Sequence, residues 1–193
     1  MSDIDEDEQI PRKFYKRLDN PEGISHFQNL RSHYLIGAWV EHEVNKQTFA
    51  KLERNLKLII SEYSRNHEKR CRDINYWMDQ KMADGNNIHR NELKSHDTSV
   101  FNGIKYNKGG KEELVCYRKK NPYKMDHVEI KKNLDDYCEI RDNIRCNILL
   151  SEAECLKYNR YIKRKKRDFT REIQDICSAN SDCSLKDFEI GDN

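Results

Sequence analysis

The chain has 193 residues, 36% of them charged, with 36 Lys/Arg against 34 Asp/Glu and a formal net charge of +2. That length suits one ordinary domain, and the small net charge supplies no global field that would select nucleic acid or an anionic membrane. A mean hydropathy of −1.07 leaves burial to periodic apolar positions, and no stretch approaches the roughly 18 uninterrupted apolar residues of a membrane-spanning helix.

Residues 1–9 are acidic and predict a disordered start. Pro11 suits the first turn of a short helix over Arg12–Leu18, and Asn20-Pro21-Glu22-Gly23 reads as a turn. From Trp39 the apolar residues Val40, Val44, Phe49, Leu52, Leu56, Ile59, Ile60 and Tyr63 step by three to five, which predicts a long helix from Gly37 to Asn66 with Leu52 and Leu56 in the core. "CRDINYWMDQKM", Cys71 to Met82, continues the rhythm as a second helix. In it Ile74, Trp77 and Met78 are expected to be buried, with Arg72, Asp73, Asp79 and Lys81 solvated.

Between Ala83 and Gly110 the rhythm fades and Asn, Gly, Ser and Asp accumulate, so 83–110 reads as a long loop or irregular insertion. Periodicity returns over Asp126–Cys146, on Val128, Ile130, Leu134, Tyr137 and Ile140. A last long helix opens on the capping-box pattern of Ser151 and Glu154 and runs to Cys177, burying Tyr158, Tyr161, Ile162, Phe169, Ile173 and Ile176. The chain is therefore expected to be all-α: a bundle of several long and short helices, stapled by disulfides, forming one domain over 10–190.

Seven cysteines, Cys71, Cys116, Cys138, Cys146, Cys155, Cys177 and Cys183, form no C-x-x-C pair. Close thiol pairs are what a structural zinc site needs, so disulfides are the better reading, and they imply an oxidising compartment. Cys155 and Cys177 end one helix roughly 33 Å apart and cannot bond to each other. Cys155 must reach another element, most simply the preceding helix, whereas Cys177 and Cys183 either close a local loop or staple other helices. An odd count leaves at least one cysteine unbridged or paired outside the chain. For Cys71, a buried thiol and a bridge to the C-terminal half are both open.

Catalytic signatures are absent. The seven histidines show no paired helical spacing and read as surface residues, and there is no nucleophile elbow, Walker loop or dinucleotide fingerprint. The adjacent Asp135 and Asp136 point to different faces of a helix. No enzyme, cofactor or metal is expected. The run "KYNRYIKRKKR", Lys157 to Arg167, resembles a phosphate-binding patch by composition, but its helical spacing makes it first the solvated face of an amphipathic helix.

Four blocks in order, "IPRKFYKRL" (Ile10–Leu18), "LERNLKLI" (Leu52–Ile59), "CRDINYWMD" (Cys71–Asp79) and "ECLKYNRYIKRKKRDFTREIQDIC" (Glu154–Cys177), resemble the Plasmodium interspersed repeat superfamily, most closely its Vir branch in Plasmodium vivax. The resemblance covers essentially the whole chain. It implies a variant surface antigen exported to the infected red-cell surface, with parasite-derived vesicular structures as a second location. In that family a transmembrane segment follows the ectodomain, and here it would lie beyond residues 191–193, so membrane contact would come only through a segment these residues lack. Two family cysteines are replaced, near His33-Tyr34 and Ala50-Lys51-Leu52.

The function this implies is host-cell adhesion or immune evasion through antigenic variation. The partners would be a host cell-surface protein receptor and antibodies, with Phe101 and Tyr106 as anchors in the 83–110 region, and no nucleic acid. A polyanionic glycan on Lys163, Arg164, Lys166 and Arg167 is a further partner. The alternative is an intracellular or exported helical scaffold that binds a protein or polyanion through the same basic face.

Overall fold

A computed structural model describes residues 4–121, 123, 125–144, 151–179 and 183–190. The chain packs as two compact units, one of residues 14–125 and one of residues 1–13 with 126–193. The described residues are mainly helical, as the apolar spacing predicts. The helices are α1 (Ile10–Arg17), α2 (His33–Ile36), α3 (Glu43–Ser61), α4 (His67–Asp84), α5 (Asn87–Gly103), α6 (Met125–Asn143) and α7 (Glu152–Ala179). A two-stranded hairpin, β1 (Lys105–Lys108) and β2 (Lys111–Leu114), lies between α5 and α6.

In the 14–125 unit, α3, α4 and α5 pack against one another. Phe49, Leu52, Leu56 and Ile59 of α3 recur every three or four residues, share one face, and are fully buried with Ile74, Trp77 and Met78 of α4. The expected Gly37–Asn66 helix is shorter than predicted. It begins at Glu43 because Ile36 and Val40 are buried within a preceding turn, and it ends where Glu62 and Tyr63 both donate to the Leu58 carbonyl. Asn66 then takes a left-handed conformation, φ +53°, to start α4.

The 83–110 region is the main correction: it is helix α5 followed by the hairpin. Asn86 caps α5 by accepting from the His89 amide at 3.0 Å, and Leu93, Val100 and Phe101 are buried on one side. Those apolar positions lie seven and eight apart, two helical turns, so a single sparse stripe suffices while Asn, Ser and Thr face solvent. In the hairpin, Gly109 and Gly110 both have positive φ, +61° and +87°, as a two-residue turn matched to strand twist requires. The Asn107 carboxamide accepts from the Gly110 amide at 2.8 Å.

Two expectations for α4 also change, because Asp73 and Asp79 are buried rather than solvated. Asp73 pairs with Lys69, and with Arg70 at 3.4 Å, while the Arg70 guanidinium sits 5.0 Å over the Phe14 ring. Asp79 pairs with Arg118, which also pairs with Asp97 of α5 and donates to the Asn75 carboxamide at 2.8 Å. Asn75 and Asp79 further accept from the amides of Lys119 and Tyr123, so one polar cluster fastens the segment after β2 to α4. Cys71 bonds to Cys116 just past the hairpin, which is the alternative of a bridge to the C-terminal half rather than a buried thiol.

In the other unit, Tyr161 and Phe169 of α7 pack on Tyr137 of α6 at 6.0 and 5.5 Å between ring centroids. Phe188 joins this cluster, and Ile162 and Ile173 border it half-buried. In the acidic start, Ile4 packs on the cluster, and Glu6 pairs with Lys165 at 2.6 Å and Arg12 at 3.6 Å. Asp136 is fully buried with Lys132 at 2.7 Å and Arg12 at 3.3 Å. His127 departs from the surface expectation, being buried on Phe188.

Cys177 bonds to Cys183, the local-loop alternative, and Cys155 is also disulfide-bonded. Cys138 is half-buried and stands as a thiol. The reading of Cys146 falls outside the described residues.

Candidate functional site

The stretch "HYLIGAWVEHEV", His33 to Val44, builds an exposed aromatic turn. Ile36 and Val40, four apart, are buried, and helical geometry turns Tyr34 away from them, while Leu35 and Trp39 are also exposed. Tyr34 is 80% exposed, Trp39 68% and Val44 62%, which is unusual for side chains of this size. Gly37 permits the tight turn: a Cβ there would meet the His33 carbonyl oxygen at 2.7 Å and its ring nitrogen at 2.5 Å.

Two acidic side chains from other helices hold this turn from behind. Glu53 of α3, itself 1% exposed, accepts from the Arg31 amide at 3.2 Å, the Ser32 amide at 3.4 Å and the Ser32 hydroxyl at 3.3 Å. It thereby supplies the acceptor that the start of α2 lacks. Glu92 of α5 does the same for α3, accepting from the Glu41 amide at 2.7 Å, from His42 Nδ1 at 3.2 Å and from Asn45. Burial alone would raise the Glu92 carboxyl, but these donors outweigh it and hold the pKa below its ordinary value. The His42 and His89 rings meet edge to face at 4.6 Å, and the Asn45 carboxamide donates to the His89 carbonyl, so α5 braces the outgoing side of the turn.

Around the aromatics the rim is acidic, with Glu41 and Glu43 exposed. A rigidly backed Trp and Tyr with carboxylates at the edge are the ingredients of a protein-binding hot spot for a partner with an apolar recess and basic margin.

The residues singled out from sequence are placed differently. Phe101 is fully buried and cannot anchor a partner, because it fills the core side of α5. Tyr106 is half-buried, its ring 5.8 Å from that of His67. Lys163, Lys166 and Arg167 are exposed, whereas Arg164 is half-buried with its guanidinium 5.8 Å from the Tyr161 ring. Tyr34 and Trp39 were missed as surface anchors. For Tyr34 a signal was available: with Ile36 and Val40 taken as the inward pair, Tyr34 falls on the other side, whereas the exposure of Trp39, three residues after Ile36, does not follow from spacing.

Among the described residues no group of three or more His, Cys, Asp or Glu side chains is placed to hold a metal, and no helix is long and apolar enough to cross a membrane.

These features define a disulfide-stapled helical scaffold that presents surface. The family model described as Plasmodium vivax Vir protein matches residues 11–190, and the chain belongs to that family. Membership suggests a variant surface antigen of Plasmodium and implies export by the parasite. Comparisons with curated proteins and with solved structures returned no match.

Proposed function

We propose that this chain is displayed on infected red cells and acts in host-cell adhesion and immune evasion, binding a host cell-surface protein and antibodies rather than catalysing a reaction. The observation that carries this reading is the exposure of Trp39 and Tyr34 on a turn pinned by Glu53 and Glu92. Exposed aromatic side chains of low conformational freedom supply most of the energy in many protein interfaces, and a braced turn limits the ordering cost of binding. The disulfides are compatible with an oxidising location outside the cell.

The test is binding of the folded chain to reticulocytes and endothelial cells, alongside the Trp39→Ala and Tyr34→Ala variants. Each substitution is expected to lower cell binding by about tenfold or more without changing the unfolding midpoint. Undiminished binding of the double variant would remove this face from the function.

A further inference from the structure

The run of five basic residues from Lys163 to Arg167 is divided by the structure. Lys165 turns inward to Glu6 at 2.6 Å and lies 5.7 Å from the Phe169 ring, and Arg164 lies against Tyr161. Lys163, Lys166 and Arg167 face solvent, and Arg171 extends the same side one turn on. Lys163, Arg167 and Arg171 follow at intervals of four, so they line one seam about 12 Å long opposite the buried Tyr161 and Phe169.

Between Lys157 and Arg171 there are eight Lys/Arg and one Asp, while the acidic N-terminal segment and α6 make the rest of this unit acidic. The one Asp, Asp168, meets Arg167 at 3.3 Å in an exposed pair of little energetic weight. Among the described residues Lys163, Lys166 and Arg171 have no carboxylate partner.

We propose that this outward face of α7 binds a linear sulfated polysaccharide of the heparan-sulfate class. The charge selects a polyanion, and three further observations choose among polyanions. The exposed positions along the seam, Asn159, Lys163, Arg167, Thr170, Arg171 and Gln174, are polar, and the exposed Leu156 stands before it, so the seam lacks an apolar face to insert into lipid. The aromatics Tyr161 and Phe169 are buried and offer no stacking platform for unpaired bases. The same unit carries the Cys177–Cys183 disulfide, which belongs to an oxidising compartment where sulfated polysaccharides, not nucleic acids, are the abundant linear polyanions. Arg167 and Arg171 can each engage one sulfate through two parallel N–H donors, and Lys163 and Lys166 add point charges. The inference is independent of the aromatic turn.

The experiment is retention of the folded chain on immobilised heparin across a salt gradient, with desulfated heparin, phosphatidylserine vesicles and duplex DNA as parallel ligands. At physiological ionic strength heparin should bind, and the triple variant Lys163→Gln, Arg167→Gln, Arg171→Gln should lose about tenfold to a hundredfold in affinity. The hairpin variant Lys105→Gln, Lys108→Gln, Lys111→Gln should stay within about twofold, and Trp39→Ala should be unchanged. Should the triple variant not fold, Arg167→Gln and Arg171→Gln tested singly read the same face. Equal losses in the seam and hairpin variants, undiminished affinity of the seam variants, equal binding to vesicles, DNA or desulfated heparin, or no retention of the parent chain would each overturn the proposal.

Discussion

Cys71 of α4 is bonded to Cys116, the second residue after β2, across 45 residues of sequence. The bridge ties together the two ends of a segment that contains α5 and the whole hairpin. Closing a loop of that length in the unfolded chain corresponds to about 4 kcal/mol in the chain-entropy account. The Cys71→Ala, Cys116→Ala double variant is expected to lose about 2–4 kcal/mol in urea unfolding. A shift below about 0.5 kcal/mol would show that the clamp beside it holds this segment unaided.

That clamp is Arg118 between Asp79 and Asp97. The cluster sets one guanidinium against two buried carboxylates, so burial, with Asp97 adding to it, raises the Asp79 carboxyl despite Arg118. Replacing Arg118 by Met leaves both acids without their counter-charge and should cost about 3–5 kcal/mol. Adding Asp79→Asn and Asp97→Asn should restore a substantial part, because neutral amides need no counter-charge. If Arg118→Met alone unfolds at the parent denaturant concentration, the cluster does not hold the segment.

Glu92 predicts a pH dependence of definite sign. Its folded-state pKa lies below the ordinary value of 4.5, so its contribution is fully present above 4.5 and is lost as pH falls through the lower folded value. Glu92→Gln should therefore cost about 1 kcal/mol near neutral pH, and its gap from the parent chain should shrink as pH drops below 4.5. Urea unfolding at several pH values reads this directly. A gap that stays constant down to pH about 3 would assign the effect to packing instead of the carboxylate.

The two tryptophans should be separable by fluorescence, since Trp39 is 68% exposed and Trp77 is 1% exposed. Trp39→Phe should leave a blue-shifted emission that acrylamide quenches poorly. Trp77→Phe should leave a red-shifted emission that it quenches readily, at a cost in stability from the core cavity. Similar quenching in both variants would mean that Trp39 is covered, and the aromatic turn would lose its standing as a binding face.

Differential alkylation before and after reduction should recover Cys71 joined to Cys116, Cys177 joined to Cys183, and Cys138 alkylated once the chain is unfolded without reductant. Cys138 found within a bridged peptide would require a different pairing.

Much of the scaffold could be read from spacing alone. The cores of α3 and α4, Leu52, Leu56, Ile74, Trp77 and Met78, and that of α7 at Phe169, lie on stripes whose period fixes which side turns inward. The Ser151 cap was equally local, its hydroxyl accepting from the Glu154 amide at 3.2 Å. Helix α5 was not legible, because its stripe of Leu93, Val100 and Phe101 is thin and its Asn and Ser residues favour turns when nothing packs against them. The candidate site was half legible: the basic face of α7 follows from periodicity, whereas Phe101 was mistaken for a surface anchor once its helix had been read as loop.

Local spacing and the ordered blocks suffice for the helical class, the family and the inward apolar positions of α3, α4 and α7. The burial of Asp73 and Asp79, the meeting of Cys71 with Cys116, and the placing of Tyr34 and Trp39 on a turn held by Glu53 and Glu92 come from the packed fold. Each of these depends on partners 21 to 51 residues away, apart from Asp73, whose neighbours on α4 are close but whose burial is a property of the packed fold. Periodicity along a chain indicates which side of a helix is apolar. It carries no information about which distant charge or thiol will arrive against that side, and that arrival fixes where a polar group is buried and an aromatic one left in water.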